Sequence, residues 1–263
     1  MKKILLAILS ISALILGGYL YVSNANKCGE LCERDFWKYA QAEDVKALIE
    51  AGADVNRKNE DGQSPLYRAA GQGDAASIML LLEAGAKVNY NIGKLSQPLH
   101  ESIGGSYEQK ADNVAALIAA GALIDARSPS GATALHTAAG NPSTQIVLML
   151  IDAGADVNIK ITREGYYNGN TPLHSAVLSG NPDNFAILVE HGANKDAQNA
   201  AGSTPLHLAA HAGGIEKINA LLALNVDGTI LDNDDKTPFD LVAEKENSAG
   251  TPAYLALQLA ANK

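Results

Sequence analysis

Large rings are scarce in this chain of 263 residues: 5 % are aromatic, with one Trp and three Phe, although 47 % are apolar. A single globular core leans on such rings. Their shortage points instead to Ala, Leu, Ile and Val closing against one another in tightly stacked helices. Cysteine is limited to two residues, Cys28 and Cys32, and two thiolates alone do not complete a metal site. Basic residues are the minority, 20 against 29 acidic, for a formal charge of −9. Phosphate contacts need clustered Lys or Arg, so nucleic acid is not the expected partner. An acidic surface draws a basic protein and also keeps a chain soluble, and charge alone does not choose between these roles. Catalytic signatures are missing as well. There is no Gly-x-Ser-x-Gly elbow, no phosphate-cradling Gly-Lys-Ser/Thr loop and no His-Glu-x-x-His helix.

What is present begins with an export segment. Lys2 and Lys3 precede an apolar run over residues 4–22, followed by the small residues of Ser23-Asn24-Ala25. This is the pattern of a secretory signal cleaved after Ala25. The run of 19 residues is also close to the roughly 20 that span a bilayer, so an uncleaved inner-membrane anchor is the rival outcome. Either way the positive end stays inside and the body is exported, with membrane contact confined to residues 4–22. Cleavage would remove two lysines, leaving 18 basic against 29 acidic residues and a charge of −11. No lipobox precedes Cys28. In an oxidising compartment Cys28 and Cys32 are placed to close a short loop, with a redox pair as the other reading.

The rest of the chain repeats. Ser64-Pro65-Leu66 recurs at Gln97-Pro98-Leu99, Thr133-Ala134-Leu135, Thr171-Pro172-Leu173, Thr204-Pro205-Leu206 and Thr237-Pro238-Phe239, with steps of 33, 36, 38, 33 and 33 residues. A second marker falls at Gly52, Gly85, Gly121, Gly154 and Gly192, then at the degraded Asn225, with steps of 33, 36, 33, 38 and 33. Thr or Ser before Pro is a helix N-cap followed by a residue whose missing N–H costs nothing at the first helical position. A short apolar helix follows. The second helix shows helical spacing, as in Ile78, Leu81 and Leu82, and a glycine closes it. Each helix pair is too small to bury its own face, so neighbours must supply the core.

The phrases Gly202-Ser203-Thr204-Pro205-Leu206-His207-Leu208-Ala209-Ala210 and Gly154-Ala155-Asp156-Val157-Asn158 resemble the ankyrin-repeat family, of about 33 residues per unit. The resemblance covers roughly residues 33–250 and implies an all-α solenoid of helix–turn–helix units with β-turn fingers. The expected organisation is residues 1–25 as signal or anchor and 26–58 as an N-terminal capping half-repeat with the cysteine pair. Five to six repeats follow over 59–246, with insertions near 104–112 and 160–169, and 247–263 carry a C-terminal capping helix. Four of six histidines, His100, His136, His174 and His207, share one slot of successive repeats. In the family that slot fastens the turn. Units about 10 Å apart are too widely spaced for neighbouring imidazoles to share a metal at about 2 Å, so neither metal nor cofactor is expected.

Family resemblance also implies a partner held by the finger tips and first helices. Carried over by position, this picks out Gln63, Gln72, Lys94, Ser96, Asn141, Asn170, Ser203, His211, Asn233 and Lys236. The five-residue insertion adds a longer finger with Arg163, Tyr166, Tyr167 and Asn168. Tyrosines on a projecting loop suit binding, having large rings and few rotors to freeze, and Arg163 adds a cation suited to a hot spot. The alternative is drift in a tolerant loop. The expectation is a non-catalytic protein-binding module in the periplasm or otherwise exported, monomeric when free. Its first role is inhibitor, immunity or protective accessory protein toward a basic envelope protein or an effector. A scaffold for a resident periplasmic enzyme, or a secreted effector, is the alternative.

Overall fold

The computed structural model of the protein describes residues 29–90, 95–104, 110–162, 165, 167–179, 181–212, 214–244 and 249–261. Residues 1–28, with the expected export segment and Cys28, lie outside these. Among the described residues every regular element is helical, and no helix there is long and apolar enough to cross a membrane.

After a 3-10 turn at Gly29–Cys32, helices α1 (Arg34–Trp37) and α2 (Ala42–Glu50) precede the first Pro-marked unit. Units then follow as α3 (Pro65–Gln72) with α4 (Ala75–Glu83), α5 (Pro98–Glu101) with α6 (Lys110–Ala119), and α7 (Ala134–Ala139) with α8 (Thr144–Asp152). They continue as α9 (Pro172–Ser179) with α10 (Asp183–Glu190), and α11 (Pro205–Ala212) with α12 (Ile215–Ala223). Helices α13 (Pro238–Ala243) and α14 (Pro252–Ala261) end the row. First helices pack in one column, α3 on α5, α5 on α7, α7 on α9, α9 on α11 and α11 on α13. Second helices stack behind them, α2 on α4, α4 on α6, α6 on α8 and α8 on α10.

The boundaries have local causes. Ser64 Oγ accepts the Tyr67 N–H at 3.2 Å, and at the far end Thr237 Oγ1 accepts the Asp240 N–H at 3.2 Å while Asp240 returns a bond to the Thr237 N–H. These caps satisfy donors that a helix start leaves orphaned. The second helices end at a left-handed residue, glycine in five units. In the degraded unit Asn225 takes that conformation, with φ of 55°, as the residue type best suited to replace glycine there.

Repetition of the sequence becomes repetition of the core. Leu66, Leu99, Leu135, Leu173 and Leu206 occupy one slot of the first helices, and Leu81, Leu117, Leu150, Leu188 and Leu221 one slot of the second, all buried. Each removes a side chain worth roughly 2 kcal/mol from water. Polar side chains of the second-helix column tie one unit to the one before it. Lys110 Nζ donates to the Gly71 carbonyl at 2.6 Å, Asn113 Nδ2 to Gly73 at 3.0 Å, and Lys217 Nζ to Val177 at 2.5 Å. Asn184 Nδ2 donates to the carbonyls of Ala139 and Asn141, at 3.1 and 2.8 Å. The C-terminal carbonyls of a first helix, which have no partner within it, are thus satisfied by the next unit. Burial holds the Lys110 ammonium below the usual lysine range, against the pull of Glu101.

At the start of the row Trp37 is buried and donates its Nε1–H to the Leu31 carbonyl at 2.8 Å. At the other end α14 packs on α12 and α13, with Leu257 buried and the rings of Phe239 and Tyr254 4.9 Å apart. Leu255 and Leu259 of the same helix remain exposed.

Candidate functional site

Between consecutive units the chain forms a finger, and among the described residues side chains tie several fingers to the next, with direct backbone bonds at two places. Asn56 Nδ2 donates to the Gly85 carbonyl at 2.8 Å while its Oδ1 accepts the Lys87 N–H at 2.8 Å. Asn89 repeats the pattern with Gly121 and Leu123, and Asn158 with Gly192 and Asn194. Farther out, the backbones touch directly: the Ala200 N–H donates to the Asn168 carbonyl and the Asn233 N–H to the Ala201 carbonyl, both at 3.0 Å. A Cβ on Gly202 would stand 2.7 Å from the Asn233 nitrogen. The fingers therefore form a fixed ledge beside the first helices.

The histidine slot holds ledge and helices together. In His174 the Nδ1 lone pair accepts the Thr171 N–H at 3.2 Å, so the proton sits on Nε2, which donates to the Ser203 carbonyl at 3.0 Å. His136 bridges Thr133 to Asn170 and His207 bridges Thr204 to Lys236 in the same way. Both ring nitrogens are thereby used, and none of the three presents a lone pair for a metal. Burial pushes His136 and His174 down to about 4, and lowers His100 and His207 in the same direction. The imidazoles are neutral fasteners at neutral pH.

In the second unit the pattern breaks. Gln97 stands where Thr caps the other helices, and its side chain pairs with both the N–H and the carbonyl of Tyr90. His100 still donates from Nε2 to the Ala132 carbonyl at 3.2 Å, but its Nδ1 is buried without a partner. Helix α5 has four residues where α3, α9 and α11 have eight. The shortened helix leaves a recess of about 380 Å³, lined by residues of α3, α5, α7 and the two adjoining fingers. Gln72, Ser96, Glu101, Ser128, Ser130 and Thr137 are on its wall. Burial, together with the neighbouring Glu101 carboxylate, raises the Tyr67 phenol well above its ordinary value.

Two of the residues expected at a partner surface, Gln72 and Ser96, come together in this recess. Tyr167 is exposed at 56 %, while Asn233 and His211 are also on the surface. Gln63, Asn168, Ser203 and Lys236 are half-buried, and each spends backbone groups on the ledge. Lys236 in addition pairs with Glu244. Asn141 serves as a tie, donating to the Ile103 carbonyl at 3.0 Å. Asn170 requires correction: it is 1 % exposed and its Oδ1 accepts from Asn199 Nδ2 at 2.9 Å, so its side chain is interior and meets no partner. Lys94, Arg163 and Tyr166 lie outside the described residues. Glu101, Ser128 and Ser130 were not singled out from sequence; the nearest signal was the extra length near 104–112, which follows the short helix bearing Glu101.

Models of ankyrin repeats in three copies match residues 37–126 and 105–199, and a model of ankyrin repeats in many copies matches 188–242. The chain belongs to the ankyrin-repeat family. Ankyrin-repeat relatives include the nuclear factor NF-kappa-B p105 subunit of Gallus gallus, 30 % identical over 228 residues, covering 78 % of this chain and 19 % of the relative. The E3 ubiquitin-protein ligase KEG of Arabidopsis thaliana is 26 % identical over 217 residues, covering 78 % of this chain and 13 % of the relative. Protein PhlB of Serratia liquefaciens is 38 % identical over 102 residues, covering 39 % and 43 %. The chain thus spans less than half the length of each of these three relatives. What they share with it is the repeat region, a module for protein–protein interaction whose ankyrin units are generally non-catalytic.

Proposed function

We propose that this ankyrin array is an exported inhibitor, immunity or protective accessory protein that holds a partner protein in the groove between its first helices and its fingers. The observation that carries this reading is the rigid ledge-and-helix groove, with its polar, acidic wall at Glu101 and exposed side chains at Gln72, Tyr167 and Asn233. Mixed polar residues around a recess suit a wet interface of ordinary size. Export rests on Lys2 and Lys3 ahead of the apolar run over residues 4–22. A Cys28–Cys32 bridge in that compartment is part of the same proposal, supported by the absence of a free thiol among the described residues.

The test is a crosslinked pull-down of the full chain from the envelope fraction, with the captured proteins identified by mass spectrometry. A protective role further requires that co-expression rescue cells from the captured partner's toxicity. Recovery of a stable complex whose partner merely drops in level on deletion would favour a scaffold for a resident envelope enzyme. Capture only of cytoplasmic proteins would overturn the exported reading.

A further inference from the structure

The recess opened by the short helix α5 has a chemistry of its own. Glu101 is the one charged side chain on its wall among the described residues. Around it are the hydroxyls of Ser96, Ser128 and Ser130, and small residues at Gly71 and Gly104 leave room for an entering group. The His100 ring also lines the recess. It is 7 % exposed, its Nε2 proton is given to Ala132, and its Nδ1 lone pair has no donor. That buried nitrogen offers no surface to the recess, so the acceptors facing an entering group are the Glu101 carboxylate and the hydroxyls, and among the described residues Glu101 forms no salt bridge. Nearby cations are tied elsewhere: Lys110 gives its Nζ to the Ala70 and Gly71 carbonyls behind the wall, offsetting part of the Glu101 charge from below, and Arg68 pairs with Asp61 at 4.0 Å. Arg127 gives Nη1 to the carbonyls of Gly131 and Lys160.

Resting on the proposal that this groove holds a protein partner, we infer that the recess takes an arginine side chain of that partner. A guanidinium offers five donors in one plane and keeps its charge at any ordinary pH. It meets a carboxylate through two parallel bonds and has donors left for the serine hydroxyls. An ammonium has three donors around one point and is more strongly hydrated, which fits a dispersed set of acceptors less well. The net negative charge of the chain favours the same sign of partner.

The experiment uses the full chain and the probe N-acetyl-arginine N-methylamide, followed by backbone amide shifts at Gly71, Gly104 and Ser130. The citrulline analogue, which has the same shape without the charge, is the control. The arginine probe is expected to shift these resonances saturably, and Glu101→Gln to weaken it about tenfold with an unchanged melting temperature. Ser130→Trp, a bulky change on the recess wall that keeps the Glu101 carboxylate, is expected to exclude the probe as well. Equal binding of the citrulline analogue, or undiminished binding to Glu101→Gln, overturns the inference. The envelope pull-down fails separately: a partner captured equally by wild type and Glu101→Gln overturns this pocket and leaves the binding module standing.

Discussion

Stability should fall steeply as pH drops from 6.5 to 4, because of the buried histidine slot. His136 and His174 are neutral in the fold and held down to about 4, chiefly by burial, whereas an unfolded histidine titrates near 6.5. Above pH 6.5 neither state is protonated and the full stability is present. Below it the unfolded chain gains protons that the folded chain refuses, so unfolding is favoured until the pH reaches the folded value. At pH 5 each residue accounts for a loss of about 2 kcal/mol relative to pH 8, and the two together for about 4. His100 and His207 act in the same direction. The lowered carboxyls of Asp227 and Asp240 titrate below the ordinary aspartate range and leave this window clear. Urea unfolding at pH 8, 6.5 and 5 reads the effect. With a slope of about 2.5 kcal/mol per molar urea, a loss of 4 kcal/mol moves the midpoint by about 1.6 M. His174→Gln should lower the midpoint at pH 8 yet flatten its dependence on pH. An unchanged midpoint between pH 8 and 5, or equal pH dependence in that variant, would refute the linkage.

Other outcomes follow from the ties between units. Asn184→Ala removes one bond to the end of α7 and one to the turn after it and should cost about 2–3 kcal/mol in urea unfolding; a loss under half a kilocalorie would show the carbonyls find other partners. Gly202→Ala should destabilise far more than Gly154→Ala, because a Cβ at 202 meets the Asn233 backbone while one at 154 meets open space. Equal melting temperatures for the two variants would contradict the close packing of the fingers. Tyr166→Ala with Tyr167→Ala should weaken partner capture and leave the melting temperature nearly unchanged; wild-type affinity would remove this finger from the interface. Under the proposed export, mass measurement of the protein should show two fewer hydrogens than the reduced form, and two titratable thiols would exclude the Cys28–Cys32 bridge.

The stacking was legible because every unit repeats the same instructions. Thr or Ser before Pro, a leucine after it and a glycine some twenty residues on each have one physical meaning, and successive units repeat it with single departures such as Gln97, Ala134, Asn225 and Phe239. Side-chain destination was less legible. Asn141 and Asn170 are polar and lie in positions that face a groove by analogy, so they read as surface residues. Whether such an amide turns outward depends on which carbonyls the neighbouring unit leaves unpaired, and that is a property of the assembled stack. The recess at Glu101 was hidden for a related reason. The extra residues near 104–112 announce a longer connection, but that α5 has only four residues appears only when the column is built. Gln97 differs from the other units by a single side chain, yet in the stack its amide closes on Tyr90 and the His100 lone pair is left unpaired.

The groove claim is tested most directly by site-specific photo-crosslinking in the living envelope. A crosslinker at Gln72 or Tyr167 should trap one common partner, while a crosslinker at the exposed Met79 of the second-helix column should trap none. Capture of that partner from Met79 with nothing caught at Gln72 and Tyr167 would contradict the account.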